Sequence, residues 1–91
     1  MDIQVLRQEI DRIDREMVRL FCERMSVASR IADYKMEHNL PIHHPAREQE
    51  VLQKAADLAG KELAGYTEAL YEKMFELSKE YQISRMHRRE N

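Results

Sequence analysis

Arg24 stands where an apolar residue belongs. In the stretch Ile3–His38, apolar or large side chains recur at Ile3, Leu6, Ile10, Ile13, Met17, Leu20, Val27, Ile31 and Tyr34, in steps of three and four. Arg24 interrupts that rhythm, and Lys35 follows eleven residues later, close to three whole helical turns, so both cations point the same way. A lone inward cation is read as a snorkelling side chain with its charge in water. Two on one face suggest instead a buried site for an anion. Further on, Arg47 and Glu48 fall in the first turn of a second helix, where unsatisfied N–H groups favour anions. Glu48 can also be read simply as an acid complementing the helix dipole. Ser78 and Gln82 continue the row Leu70–Met74 on a third helix. A row that turns from apolar to Ser and Gln either drifts toward solvent or lines a wet, ligand-filled space.

Those residues need helices to position them, and the first is long. No Gly or Pro interrupts residues 3–38, and at ~1.5 Å per residue the helix would be on the order of 50 Å long. A compact chain of this size has a radius of gyration of only about 12 Å, too small to cover such a rod. A second copy is therefore expected to cover it. If two first helices pair antiparallel about Met17 or Val18, Arg7 of one lies opposite the stretch between Arg24 and Lys35 of the other. Within one chain Arg7 precedes Arg24 by seventeen residues, on the order of 25 Å along the axis, so the two cannot share a small ligand from the same helix. The dimer would deliver the third cation.

Asp2 suits the first N-cap, and Asn39, Pro41 and Pro45 close the helix and begin the next. The second helix is expected over about 45–59. Gly60 and Gly65 bracket a turn, and a third helix over about 65–86 follows, with Tyr66, Leu70, Met74, Phe75 and Tyr81 on its inner face. The tail Arg85–Asn91 is expected to fray. No strand pattern appears, and the fold class is all-α: one domain spanning 1–91, with three helices per chain in an intertwined helical homodimer.

Composition sets limits. Of 91 residues, 43% are hydrophobic and 35% charged, with two Gly, two Pro and no Trp, as in a long-helix protein. A net charge of −2 argues against nucleic acid as a partner, so any anion site depends on local placement of cations. Cys22 is the single cysteine, which excludes an intrachain disulfide and suits a reducing cytoplasm. Nothing resembles a signal peptide or a membrane span. His43–His44 is a weak metal signal without a third ligand, and no metal or cofactor is expected.

Taken in order, Leu6-Arg7-x-x-Ile10-Asp11-x-x-Asp14, Glu23-Arg24 with Lys35 eleven on, Leu40-Pro41-Ile42-His43-His44-Pro45-Ala46-Arg47-Glu48, and Ser78-x-x-x-Gln82 resemble the all-α chorismate mutases of the AroQ class over essentially the whole chain. The resemblance implies an intertwined homodimer with two active sites, each taking one arginine, Arg7, from the other chain. It implies rearrangement of chorismate, a small dianion, to prephenate in aromatic amino acid biosynthesis, with no cofactor. By that analogy Arg7, Arg24 and Arg47 would hold carboxylates and Ser78 would hydrogen-bond near one. Lys35 and Gln82 would donate to the ether oxygen, and Glu48 would accept from the ring hydroxyl. His44 stands where family members often carry Asp; it is a possible contact or simply a loop residue. An isochorismate–pyruvate lyase of the same fold and a non-catalytic helical dimerisation module are the other readings. The latter predicts no pocket.

Overall fold

The computed structural model describes residues 2–90 and consists of three helices: α1 (Ile3–Glu37), α2 (Pro45–Ala59) and α3 (Ala64–Glu90). Among the described residues there is no strand. Each boundary has a local cause. The Asp2 carboxylate accepts from the Gln4 N–H at 3.1 Å and starts α1. At the other end Asn39 takes a positive φ of 56°, the left-handed conformation that Asn tolerates. With it, Leu40 N–H donates to Lys35 C=O at 2.8 Å and Asn39 N–H to Met36 C=O at 3.3 Å, the double closure of a helix C-terminus. The helix therefore ends at Glu37, one residue before the expected His38. α2 closes on Gly60, whose φ of 85° is a conformation in which a side chain would be strained.

α2 packs along α3 through Leu52, Ala55 and Ala56, all buried, and α3 meets α1 more briefly. Where α1 and α3 approach, the residues are small: Ser29, Ala32 and Ser78 are buried together with that contact. The chain is open rather than compact, with a radius of gyration of 16.5 Å and extents of 55 × 31 × 15 Å, against the ~12 Å of a globule of this length.

Two expectations for α3 are corrected. Its inward residues are Ala64, Thr67, Tyr71, Met74, Phe75, Leu77, Ser78, Gln82 and Arg85, not the row through Tyr66 and Leu70, which are 77% and 51% exposed. Tyr81 also lies on the exposed side. Apolar residues stand all round α3, so periodicity could not choose its face; the partially buried row mixes Thr, Ser and Gln with aromatics because it borders a cavity. Second, α3 does not fray at Arg85 but continues to Glu90. Arg85 reaches Asp33 of α1 at 3.3 Å, both side chains about a quarter exposed, and ties the two helices. Asn91 lies outside the described residues.

Candidate active site

A cavity of about 420 Å³ opens between the C-terminal half of α1, the start of α2 and the C-terminal half of α3. Seven of the eight residues singled out from the sequence line it: Arg24, Lys35, His44, Arg47, Glu48, Ser78 and Gln82. Arg7 does not, since it lies on the arm of α1 that projects beyond the cavity.

Each side chain is held by something identifiable. The Arg24 guanidinium lies over the rings of Tyr71 and Phe75, 5.6 Å from each centroid, so aromatic faces of α3 fix a cation of α1 without neutralising it. Lys35 extends to the connection between α1 and α2 and donates to the Ile42 carbonyl at 3.3 Å. Ser78 is buried, and its hydroxyl meets the Met25 thioether sulfur at 3.3 Å. Sulfur is a weak acceptor, so the hydroxyl can turn to a better one. Arg47 is turned outward onto Glu50 at 2.9 Å, with 57% of its side chain exposed; to serve the cavity it must exchange that partner.

His44 has a structural duty that its sequence position did not reveal. It is the N-cap of α2, its Nδ1 accepting from the Arg47 N–H at 3.1 Å. The imidazole thus performs the usual task of an aspartate cap and fixes the turn carrying Arg47 and Glu48. His43 also borders the cavity, its Nδ1 3.7 Å from Glu48 Oε1. Among the described residues no group of three or more His, Cys, Asp or Glu is arranged for a metal ion.

Lys79 is the lining residue the sequence reading missed. It meets Glu48 Oε1 at 2.9 Å across the α2–α3 contact. Its only sequence signal was adjacency to Ser78; the pairing depends on the register of two helices, which spacing along one of them does not encode. Ala28, Ile42, Phe75, Ile83 and Met86 complete an apolar lining, which weakens the competition of water for the polar groups.

Among the described residues no helix is long and apolar enough to cross a membrane. Fold and cavity together define an all-α helical protein with a pocket whose cations come from three different helices. The chain belongs to the chorismate mutase type II family, whose sequence profile matches residues 6–83. It is 48% identical over 64 residues to the bifunctional chorismate mutase/prephenate dehydratase of Aquifex aeolicus, a match covering 70% of this chain and 17% of that protein. It is 34% identical over 53 residues to the chorismate mutase of Methanocaldococcus jannaschii, covering 58% of this chain and 54% of that one. The solved structure of chorismate mutase (form I) from Thermus thermophilus superposes with a TM-score of 0.79 at 32% identity, over 84% of this chain and 96% of that one.

Proposed function

We propose that this chain is a chorismate mutase that acts as a homodimer in the cytoplasm, its 91 residues forming one catalytic domain, and that it converts chorismate to prephenate. The observation that carries this reading is the cavity itself, which gathers Arg24, Lys35, Glu48, Ser78 and Gln82 from three helices into one small apolar-walled space.

The reaction is a unimolecular rearrangement: the ether C–O bond breaks as a C–C bond forms, with no proton transfer and no covalent intermediate. The protein has two tasks. It must hold the flexible dianion in a chair-like shape with the bond-forming carbons close, and it must meet the negative charge growing on the ether oxygen with fixed donors. Arg24, Arg47 and the second copy's Arg7 serve the carboxylates through paired N–H donors. Arg24 is the most preorganised of these, because two rings already hold it. Lys35 and Gln82 donate to the ether oxygen. Ser78 gives its hydroxyl to a carboxylate in place of the Met25 sulfur. Glu48 accepts from the ring hydroxyl, and His44 contributes by capping the helix that carries Arg47 and Glu48.

The partner copy is supported by α1. From Asp2 to Leu20 every residue is exposed in the single chain, including Ile3, Leu6, Ile10, Ile13, Met17 and Leu20. Beyond them Val27, Ile31 and Tyr34 keep the same apolar row uncovered. An apolar stripe of that length calls for burial, and an antiparallel second α1 both covers it and brings Arg7 to the open side of the cavity.

The test is an absorbance assay of chorismate disappearance, with the product identified by mass and NMR. Prephenate formation is the expected result. Turnover of isochorismate to pyruvate instead, or no turnover of either by a folded dimer, overturns the assignment.

A further inference from the structure

Glu48 poses a problem for the site it borders. A carboxylate lining a cavity that must receive a dianion is a rival for the same cations: Arg24 and Lys35 line that cavity too. Left to itself, Glu48 would swing onto them and occupy the place of a substrate carboxylate. In the structure it does not: it is paired with Lys79. Its ammonium meets Glu48 Oε1 at 2.9 Å from α3, and His43 approaches the same oxygen at 3.7 Å from the preceding connection. The Lys79 contact draws Oε1 toward α3. No ion pair engages Oε2.

Lys79 also makes a choice. The groove on the outer side of the wall is bordered by Glu72, Glu76 and Glu80 as well as by Glu48, and Glu76 pairs with Lys73 at 3.3 Å. Lys79 leaves Glu76, three residues before it on α3, for a carboxylate on α2. Glu48 is 27% exposed against 57% for Glu76, and an ion pair is screened less where water is partly excluded.

We infer that Lys79 is a positioning residue, which holds Glu48 against the cavity wall so that one carboxylate oxygen reads the substrate hydroxyl while the carboxylate-binding cations stay open. The inference rests on the chorismate mutase reading. It makes Lys79 act through Glu48 rather than by touching substrate.

A double-mutant cycle separates these possibilities, because residues that act as one unit give non-additive losses. The parent, Lys79→Met, Glu48→Gln and the double variant are assayed with chorismate as dimers of matched circular dichroism. Lys79→Met keeps the aliphatic stem and removes the ammonium, and it should raise KM about tenfold, with a smaller fall in kcat. On the Glu48→Gln background the same change should have almost no further effect, and Lys79→Arg should restore most of the parent KM. Equal, additive losses on both backgrounds overturn the inference while leaving the mutase reading intact; they would mean direct contact with substrate or a general structural role. An unchanged KM in Lys79→Met overturns it as well. A parent that does not turn over chorismate removes the functional reading, and this inference falls with it.

Discussion

The two halves of α1 carry one continuous periodic pattern and meet different surroundings. From Phe21 to Lys35 the helix packs against α3 through Phe21, Met25, Ala28, Ser29 and Ala32, and it sends Arg24 and Lys35 into the cavity. From Ile3 to Leu20 every residue is exposed, and the apolar side chains among them are Ile, Leu, Val and Met. The second half is packed on one face within its own chain, with Val27, Ile31 and Tyr34 uncovered on another. The first is finished only against something outside it. The contrast teaches that one helix can serve as the wall of its own site and, in the proposed dimer, as the donor arm of another. It also explains why seven of the proposed site residues line one cavity while Arg7 lies apart.

The largest effects expected are those that break this division of labour. Arg24→Ala removes a guanidinium held over two rings at the cavity and should cost roughly 2–5 kcal/mol of transition-state binding, with the helices intact by circular dichroism. Arg7→Ala should cripple activity comparably although Arg7 lies nowhere near the cavity of its own chain. Mixing the two inactive variants after mild unfolding and reassociation sharpens the point. Each hybrid dimer regains one intact site, so about a quarter of the parent activity should return. Failure of the mixture to recover, with exchange confirmed by mass, would falsify the shared site. Ile10→Asp breaks the other side of the comparison. A charge on the apolar arm should yield monomers by sedimentation and remove activity, whereas a similar charge at exposed Gln53 of α2 should change neither.

Gln82→Glu is smaller in effect and purely chemical. An amide donates to the ether oxygen at any ordinary pH, but a carboxyl donates only while protonated. As pH rises that variant loses its donor and sets a negative charge beside the oxygen where charge develops. Its rate should therefore peak at acid pH and decline where the parent stays level. A uniform loss across the pH range would show that Gln82 does not donate there.

How far the sequence could be read depended on which kind of interaction carried each feature. The ends of α1 and α2 were legible because they rest on local chemistry: the Asp2 cap, the left-handed Asn39, Pro45 at the helix start. Arg24, Ser78 and Gln82 were legible as candidates because each broke an apolar row, and Lys35 because it falls three turns beyond Arg24 on the same face. The inward face of α3 was not, because Tyr71, with its ring under Arg24, and Leu70, exposed, are equally apolar neighbours and only the crossing with α1 distinguishes them. Lys79–Glu48 and Arg85–Asp33 were hidden for a related reason: each joins two helices, and their relative register is a tertiary fact. The N-cap role of His44 was obscured by residue type, since imidazole is an uncommon cap.

That cap makes a modest prediction. His44→Ala removes the side-chain acceptor for Arg47 N–H and should cost ~1 kcal/mol of stability, together with some looseness at Arg47 and Glu48 that appears as a higher KM. His44→Asp, which restores an acceptor, should recover both. Melting temperature and KM measured on the same samples decide whether cap and site are linked, because an N-cap of no consequence to the site would move only the former.

The smallest effect expected lies at Glu50, the exposed partner of Arg47 and Lys54 on α2. Its carboxyl is held below its ordinary value of 4.5, first by the hydrogen bond from Lys54 and by that residue's charge, and then by Arg47. A carboxylate lowered on folding adds stability that is fully present above the unfolded value and is lost as pH falls through the folded one. Glu50→Gln should therefore lower the melting temperature slightly at neutral pH, and the difference from the parent should close in acid. The same substitution frees Arg47 from its outward partner. If Arg47 serves the dianion, the variant should bind chorismate a little more tightly at neutral pH even while it melts a little earlier. Stability and affinity moving in opposite directions would mark Arg47 as a residue divided between the surface and the cavity. If the two fall together, the arginine belongs to the surface alone.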